Sequence, residues 1–318
     1  MRSAVALARE EREFIYFDLS QSEMRAAAYM SGDENFIRTC ESGDVHSGNA
    51  CILFPDQADE IRKDPKGLGK KFRDIAKNVG FGILYSAEVD KIFAFLHEKG
   101  FAVSMGEVQR AFDNIHDTYP TYYRYCEGNL LDCRVNGYMR TALLGRIRWI
   151  GWHPKPGDVY NFPIQSFIAD LMNLRLIELE KEFTRIWGEP LSWAEKKAGS
   201  RTSGKSREMA PGRKSRDGSN GRSRNVSVRI KKAGAREDGE KSRDVLEKRA
   251  RRPRVVAQIH DALIIEARKG KTSEIAQRVI RRIWAKPIRI PHNGKSFCMP
   301  IDLKVGGRWS HFDGDKRP

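Results

Sequence analysis

FIYFDLSQSEMRAAAYMSG, Phe14 to Gly32, is the stretch on which the fold turns. Its first residues are aromatic and β-branched up to the acid, as a buried strand is, and Ser and Glu then stand at the start of a helical run. A strand passes straight into a helix, with Asp18 at the junction. Far downstream, VVAQIHDALIIEA, Val255 to Ala267, has two β-rich arms that meet at His260 and Asp261. That pattern predicts a hairpin with an acid at its tip. Taken alone, an acid at a strand end also reads as a helix cap or a surface carboxylate. Two strands of one sheet that each end in an acid are more demanding, because adjacent carboxylates repel unless a cation lies between them. Oxygen ligands without His or Cys favour Mg²⁺, and two carboxylates bridging two such ions suit phosphoryl or nucleotidyl transfer.

Residues 69–85 read as a helix on which Arg73, Lys77 and Phe81 recur every four positions and Tyr85 extends the row. Two cations one turn apart can hold a triphosphate, and an aromatic pair beyond them can stack on a base and sugar. The same row also suits an ordinary amphipathic helix with its basic face in water. Residues 161–183 form another helical pattern, with Asn161 and Gln165 one turn apart.

The net charge of +16 is concentrated: between residues 195 and 254, 21 Lys and Arg stand against 8 Asp and Glu. Residues 199–225 are rich in Ser, Gly and Arg and almost devoid of large apolar side chains, so burial cannot offset their ordering entropy. Disorder is expected from 193 to 252, with 244–251 as a candidate charged helix. This stretch separates a body ending near 187 from a piece beginning near 254; if both belong to one domain, it is an insertion. Such a basic segment fits a polyanionic partner such as nucleic acid and says nothing about catalysis. No run approaches the roughly 18 to 20 apolar residues of a membrane span, and residues 1–13 are too charged for a signal peptide. The five cysteines are odd in number and contain no C-x-x-C pair, which argues against a disulfide framework or a zinc ribbon.

Several stretches, in order, resemble the motifs of family A DNA polymerases, the group of bacterial polymerase I and many phage replicases. Asp18 to Phe36 looks like motif A, Arg73 to Ser86 (RDIAKNVGFGILYS) like motif B on the fingers helix, and Gln258 to Glu266 (QIHDALIIE) like motif C. GDVHSGNA, Gly43 to Ala50, is similar to the segment carrying a triphosphate-contacting His, and YNFPIQSFIADL, Tyr160 to Leu171, to the helix whose Asn and Gln face the template-primer. The resemblance implies DNA-directed DNA synthesis from dNTPs in replication or repair. It implies that Asp18, Asp261 and the main-chain carbonyl of Leu19 hold two Mg²⁺ ions. Arg73, Lys77 and His46 would bind the incoming triphosphate, Lys77 also acting as acid toward the leaving pyrophosphate. Glu23 would lie beside Tyr85 under the sugar and exclude a ribose 2′-hydroxyl. Phe81 implies poor use of dideoxynucleotides. Gln21, Asn161, Gln165, Gln258 and His260 would line the nucleotide and primer-template.

The chain departs from the family pattern at four places: Gly80 replaces an Asn, Ser86 a Gly, Ala262 the second acid of motif C, and Gly157 an Arg. The fold implied is α+β: an antiparallel right-hand palm sheet from 14–18, 255–267 and part of 299–305, with helices, plus a helical fingers subdomain. The expected layout is palm with motif A at 1–40, fingers at 41–157, a palm helix at 158–192, the basic insertion at 193–252 and palm with motif C at 253–318. With 17 residues ahead of Asp18, thumb and exonuclease domains are expected to come, if at all, from a separate chain. The expected partners are primer-template DNA and dNTPs, with no membrane, in the cytoplasm of a bacterial or phage-infected cell. The alternative is a noncatalytic or partner-dependent nucleic-acid-binding fragment of a split or truncated polymerase.

Overall fold

Strand β1, Arg12–Leu19, turns through residues 20–21 into helix α1, Ser22–Ser31, as its sequence predicts. Helices α2 (Glu34–Glu41), α3 (Val45–Leu53), α4 (Ala58–Lys63), α5 (Lys70–Leu84), α6 (Val89–Glu98), α7 (Met105–Thr118) and α8 (Pro120–Asn136) follow. A small hairpin, β2 (Tyr138–Arg140) and β3 (Ile147–Trp149), precedes the long helix α9, Pro156–Trp187. After the basic stretch come β4 (Arg254–Ile259), β5 (Ala262–Arg268), α10 (Lys271–Trp284), the short pair β6 (Ile288–Arg289) and β7 (Ser296–Phe297), and β8 (Ile301–Gly306). The computed structural model describes residues 11–84, 87–192 and 244–307, with only the main chain at Phe81, Ile83 and Leu84.

Four strands form one antiparallel sheet in the order β4-β5-β1-β8. The C-terminal strands therefore enclose the first strand, and the two acids meet although they are far apart in sequence. Side chains alternate across the sheet. Ile15, Phe17 and Leu19 are buried on one face, where Trp284 of α10 meets Phe17 edge-on at 4.6 Å between ring centroids. Full burial of one such side chain contributes roughly 1.5 to 3 kcal/mol, so this row sets the register. The opposite face carries Phe14, Tyr16 and Asp18, with Phe14 packed on Ile264. The architecture is the expected α+β one. The hairpin of β4 and β5 turns at His260 and Asp261, as the β-rich arms predict.

The helices are locked by polar residues that the hydrophobic pattern does not reveal. Asp33, 2% exposed, accepts from the amides of Asn35 and Phe36 through one carboxylate oxygen and from those of Thr121 and Tyr122 through the other. One buried side chain thus starts both α2 and α8. Asp170 on α9 is fully buried; it accepts from the Leu144 amide at 3.0 Å and pairs with Arg146, holding the β2–β3 connection against the helix.

At the far end of α9 the chain is described again from residue 244, with 244–250 helical. Arg249 donates to the carbonyls of Glu189 and Pro190, and the buried Arg252 donates to Glu180 at 2.5 Å. These anchors hold 244–252 against α9, and the helix at 244–250 is the charged helix expected at 244–251 within the stretch otherwise expected to be disordered. The expected insertion itself, 193–243, lies outside the described residues, as does Tyr85.

Candidate active site

Asp18 is the penultimate residue of β1, directly across from Ala262 of β5 on one side and Asp302 of β8 on the other. The amide of Leu19 donates to the main-chain carbonyl of Asp261 at 3.2 Å, and that of Ser20 to the carbonyl of Pro300 at 2.9 Å. These bonds bring the hairpin tip beside the end of β1. The two predicted acids are neighbours as a result. Burial and then the adjacent Asp261 push the Asp18 carboxyl up to about 6, with Asp302 adding to the same effect. Ser22, at the first turn of α1, donates to Asp261 Oδ2 at 2.5 Å. Among the described residues no group of three His, Cys, Asp or Glu side chains forms a ready-made metal cage. The fit to divalent ions rests instead on donor chemistry: an all-oxygen pair whose mutual repulsion a hard cation would relieve.

Strain gathers at the same place. Among the described non-glycine residues, only Gln21 and His260 have positive φ, each at 53°. One lies three residues after Asp18 and the other immediately before Asp261. Such conformations cost about 1 to 3 kcal/mol each and persist where surrounding structure enforces them.

The basic half of the site is built on α3 and α5. Arg73 donates through Nε to Asp44 Oδ2 at 2.5 Å and through Nη2 to Asp44 Oδ1 at 3.2 Å. Gln21 donates to Asp44 Oδ1 at 2.9 Å and accepts from the Val45 amide at 3.2 Å, and Ser47 donates to Asp44 Oδ2 at 2.7 Å. Burial works to raise the Asp44 carboxyl, yet the bonds from Arg73 and Ser47 hold it below its ordinary value. His46 is 7% exposed; burial pushes its ring down to about 4, with Arg73 and Lys77 reinforcing the shift and Asp44 opposing it. Lys77 itself is exposed.

The remaining predicted residues divide. Gln165 of α9 donates to Glu23 Oε1 at 2.6 Å, joining two residues that the sequence assigned separately. Asn161 lies one turn earlier on α9, with its Oδ1 buried and accepting no hydrogen bond among the described residues. Gln258 and His260 are exposed on the hairpin. Tyr85 and the side chain of Phe81 lie outside the described residues.

The sequence profile of DNA polymerase family A matches residues 1–189. The chain belongs to DNA polymerase family A. It is similar to the thermostable DNA polymerase I of Thermus thermophilus, at 30% identity over 183 residues, 54% of this chain and 20% of that protein. It is also similar to the DNA polymerase I of Chloroflexus aurantiacus, at 31% identity over 177 residues, 53% of this chain and 17% of that protein. The chain therefore spans about a fifth of the length of these curated relatives. Its fold matches the POL domain of Pol1 from M. smegmatis, solved with a DNA primer-template and dNTP, with a TM-score of 0.61 over 95% of this chain and 41% of that one, at 19% identity.

Within the family frame, two departures acquire a physical setting. Ala262, which replaces the second motif C acid, is buried against Asp18, but Asp302 supplies a carboxylate at the opposite cross-strand position. Gly80 faces α1: a Cβ there would lie 2.7 Å from the Cε of Met24, the flexible end of a side chain that would have to shift. Sequence reasoning missed Asp44, Ser22 and Asp302. A pattern search had no handle on them, because their roles arise from strand register and from contacts between α3, α5 and the β1–α1 turn.

Proposed function

We propose that the chain carries the polymerising site of a DNA-directed DNA polymerase, extending a primer 3′-hydroxyl with deoxynucleotides. One observation carries this reading: Gln21, three residues past Asp18, is hydrogen-bonded to the carboxylate that pairs with Arg73. The β1–α1 turn thereby joins the acids proposed to bind metal to Arg73, with Lys77 one turn further along α5.

In this reading Asp18 and Asp261 hold two Mg²⁺ ions, with the main-chain carbonyl of Leu19 as a further donor and Asp302 adding negative charge beside them. When bound, the ions supply Lewis-acid activation of the primer hydroxyl and charge neutralisation at the phosphorus being transferred. Arg73 and Lys77 take the triphosphate oxygens, and His46 presents a neutral ring as a hydrogen-bond partner. Lys77, exposed and one turn beyond Arg73, is the donor proposed to protonate the departing pyrophosphate. Glu23, held by Gln165, is the carboxylate proposed to oppose a ribose 2′-hydroxyl, while Gln165 and Asn161 of α9 and Gln258 and His260 of the hairpin would contact primer-template.

A primer-extension assay with Mg²⁺ tests the reading. Deoxynucleotides should be added and ribonucleotides poorly used, and substituting both Asp18 and Asp261 by Ala should abolish addition; activity that survives the double substitution would sink the mechanism. Extension that appears only when a second polypeptide is added would instead assign the chain a partner-dependent role, a distinction that matters for a chain spanning a fifth of its relatives.

A further inference from the structure

Asp44 is the N-cap residue of α3, yet its side chain makes no capping bond to that helix. An Asp at this position ordinarily stabilises its helix by about 1 kcal/mol through such a bond. Here the Gln21 side chain, reaching over from the β1–α1 turn, accepts the Val45 amide instead, and Asp44 turns to Arg73. The local rule is set aside in favour of a contact between helices.

Two roles fit a carboxylate on a phosphate-binding arginine: a competing anion that the triphosphate must expel, or a brace that aims the guanidinium. Donor counting decides between them. A carboxylate offers about four lone-pair sites, and Asp44 accepts four hydrogen bonds: two from Arg73, one from Gln21 and one from Ser47. A group so fully engaged is poorly suited to swing away. Arg73, in contrast, uses Nε and one Nη2 donor, and its Nη1 lies 4.0 Å from Asp74, beyond hydrogen-bond reach. Among the described residues three of the five guanidinium donors make no hydrogen bond, two of them on the Nη1–Nη2 edge that adjoins the one held by Asp44.

We propose that Asp44 is a positioning residue for triphosphate recognition: it fixes the inner edge of the Arg73 guanidinium and, through Gln21, sets the outer edge at a constant distance from the Asp18 end of the sheet. The inference rests on the reading of Arg73 as a triphosphate ligand. It also explains why Gln21 is held in a strained conformation, since its amide must meet both Asp44 and Val45.

The test is equilibrium binding of dATP and dAMP to the full chain in Ca²⁺, for Asp44→Asn, Arg73→Ala, Arg73→Lys and the Asp44→Asn/Arg73→Ala pair. Asp44→Asn should weaken dATP about tenfold, or about 1.4 kcal/mol, and change dAMP less than twofold. Arg73→Lys, which keeps the charge but loses the fork, should match it. In the Arg73→Ala background the Asn substitution should add nothing. Unaltered dATP affinity in Asp44→Asn beside a weakened Arg73→Ala would overturn the brace while sparing the role of Arg73. Tighter dATP binding would make Asp44 a competitor, and a loss that persists without Arg73, or that extends to dAMP, would make it a fold residue only. If Arg73→Ala binds dATP normally, the triphosphate reading itself fails. Thermal denaturation of each variant separates loss of folding from loss of binding, and Ser47→Ala, which removes one donor and keeps the charge, gives the same contrast in milder form.

Discussion

The acidic end of the sheet and the basic face of α3 and α5 lie on either side of Gln21 and are shifted in opposite directions. Asp18 is pushed toward holding its proton, up to about 6, by burial and by Asp261. His46 is pushed toward losing its proton, down to about 4, by burial and by Arg73 and Lys77. An ionisable group moves toward its neutral form when its neighbours share its sign and water is excluded. Exclusion of water is the largest cause at both groups; Asp261 and Asp302 reinforce it at Asp18, while at His46 Arg73 and Lys77 reinforce it and the Asp44 carboxylate opposes it. In the proposed function a metal-bound triphosphate would bring a cation to the acids and an anion to Arg73 and Lys77.

The largest expected effects test whether the two halves are equivalent. Asp18→Asn and Asp261→Asn preserve shape and remove charge; each should lower single-turnover extension about 10³-fold or more, matching the several kcal/mol that metal-ion catalysis supplies. Arg73→Ala should cost about 10²-fold, as loss of one charge-stabilising donor does. A larger loss at Arg73 than at Asp18 would break the comparison, since the chemistry would then depend more on the fingers than on the palm.

The shifted groups give the next contrast, and their signs differ. For His46 the fold favours the neutral ring, so its contribution is complete above the unfolded value near 6.5 and is lost as pH falls toward 4, amounting to about 3 kcal/mol at most. Chemical denaturation from pH 7 to pH 4 should show that loss, and His46→Gln should flatten it. For Asp18 the fold favours the protonated carboxyl, so stability in EDTA is fully present below pH 3.8 and is lost as pH rises through 6. Mg²⁺ should accordingly raise the melting temperature above pH 6 and have little effect below pH 5. A Mg²⁺ effect independent of pH would show that Asp18 is not its ligand.

Much of this site was legible in the chain because strands and helices have fixed periods. Asp18 and Asp261 follow from two β-rich runs that each end in an acid, and the Arg73–Lys77 row from a four-residue spacing. The β2–β3 hairpin, the double cap by Asp33 and the brace at Asp44 were not legible. Each depends on a polar side chain bonding to something distant in sequence, and no local pattern distinguishes such a residue from a solvated one. The positive φ of Gln21 and His260 was hidden for a related reason: glycine announces that geometry, whereas Gln and His adopt it only when tertiary contacts compel them.

Asp302 offers the smallest effect and the finest test of the contrast. It lies directly across from Asp18, where like charges on adjacent strands oppose pairing. It is also exposed, so the interaction is of the screened surface kind, roughly 0.2 to 1 kcal/mol. Asp302→Asn should therefore stabilise the chain slightly in EDTA at pH 7 and, by removing negative charge beside the metal-binding pair, weaken Mg²⁺ by about two- to fivefold. The two changes have opposite signs because repulsion in the empty site is the same interaction that attracts the cation. Stabilisation in EDTA with unchanged Mg²⁺ affinity would make Asp302 a repelling neighbour only, and would leave Ala262 without a compensating acid.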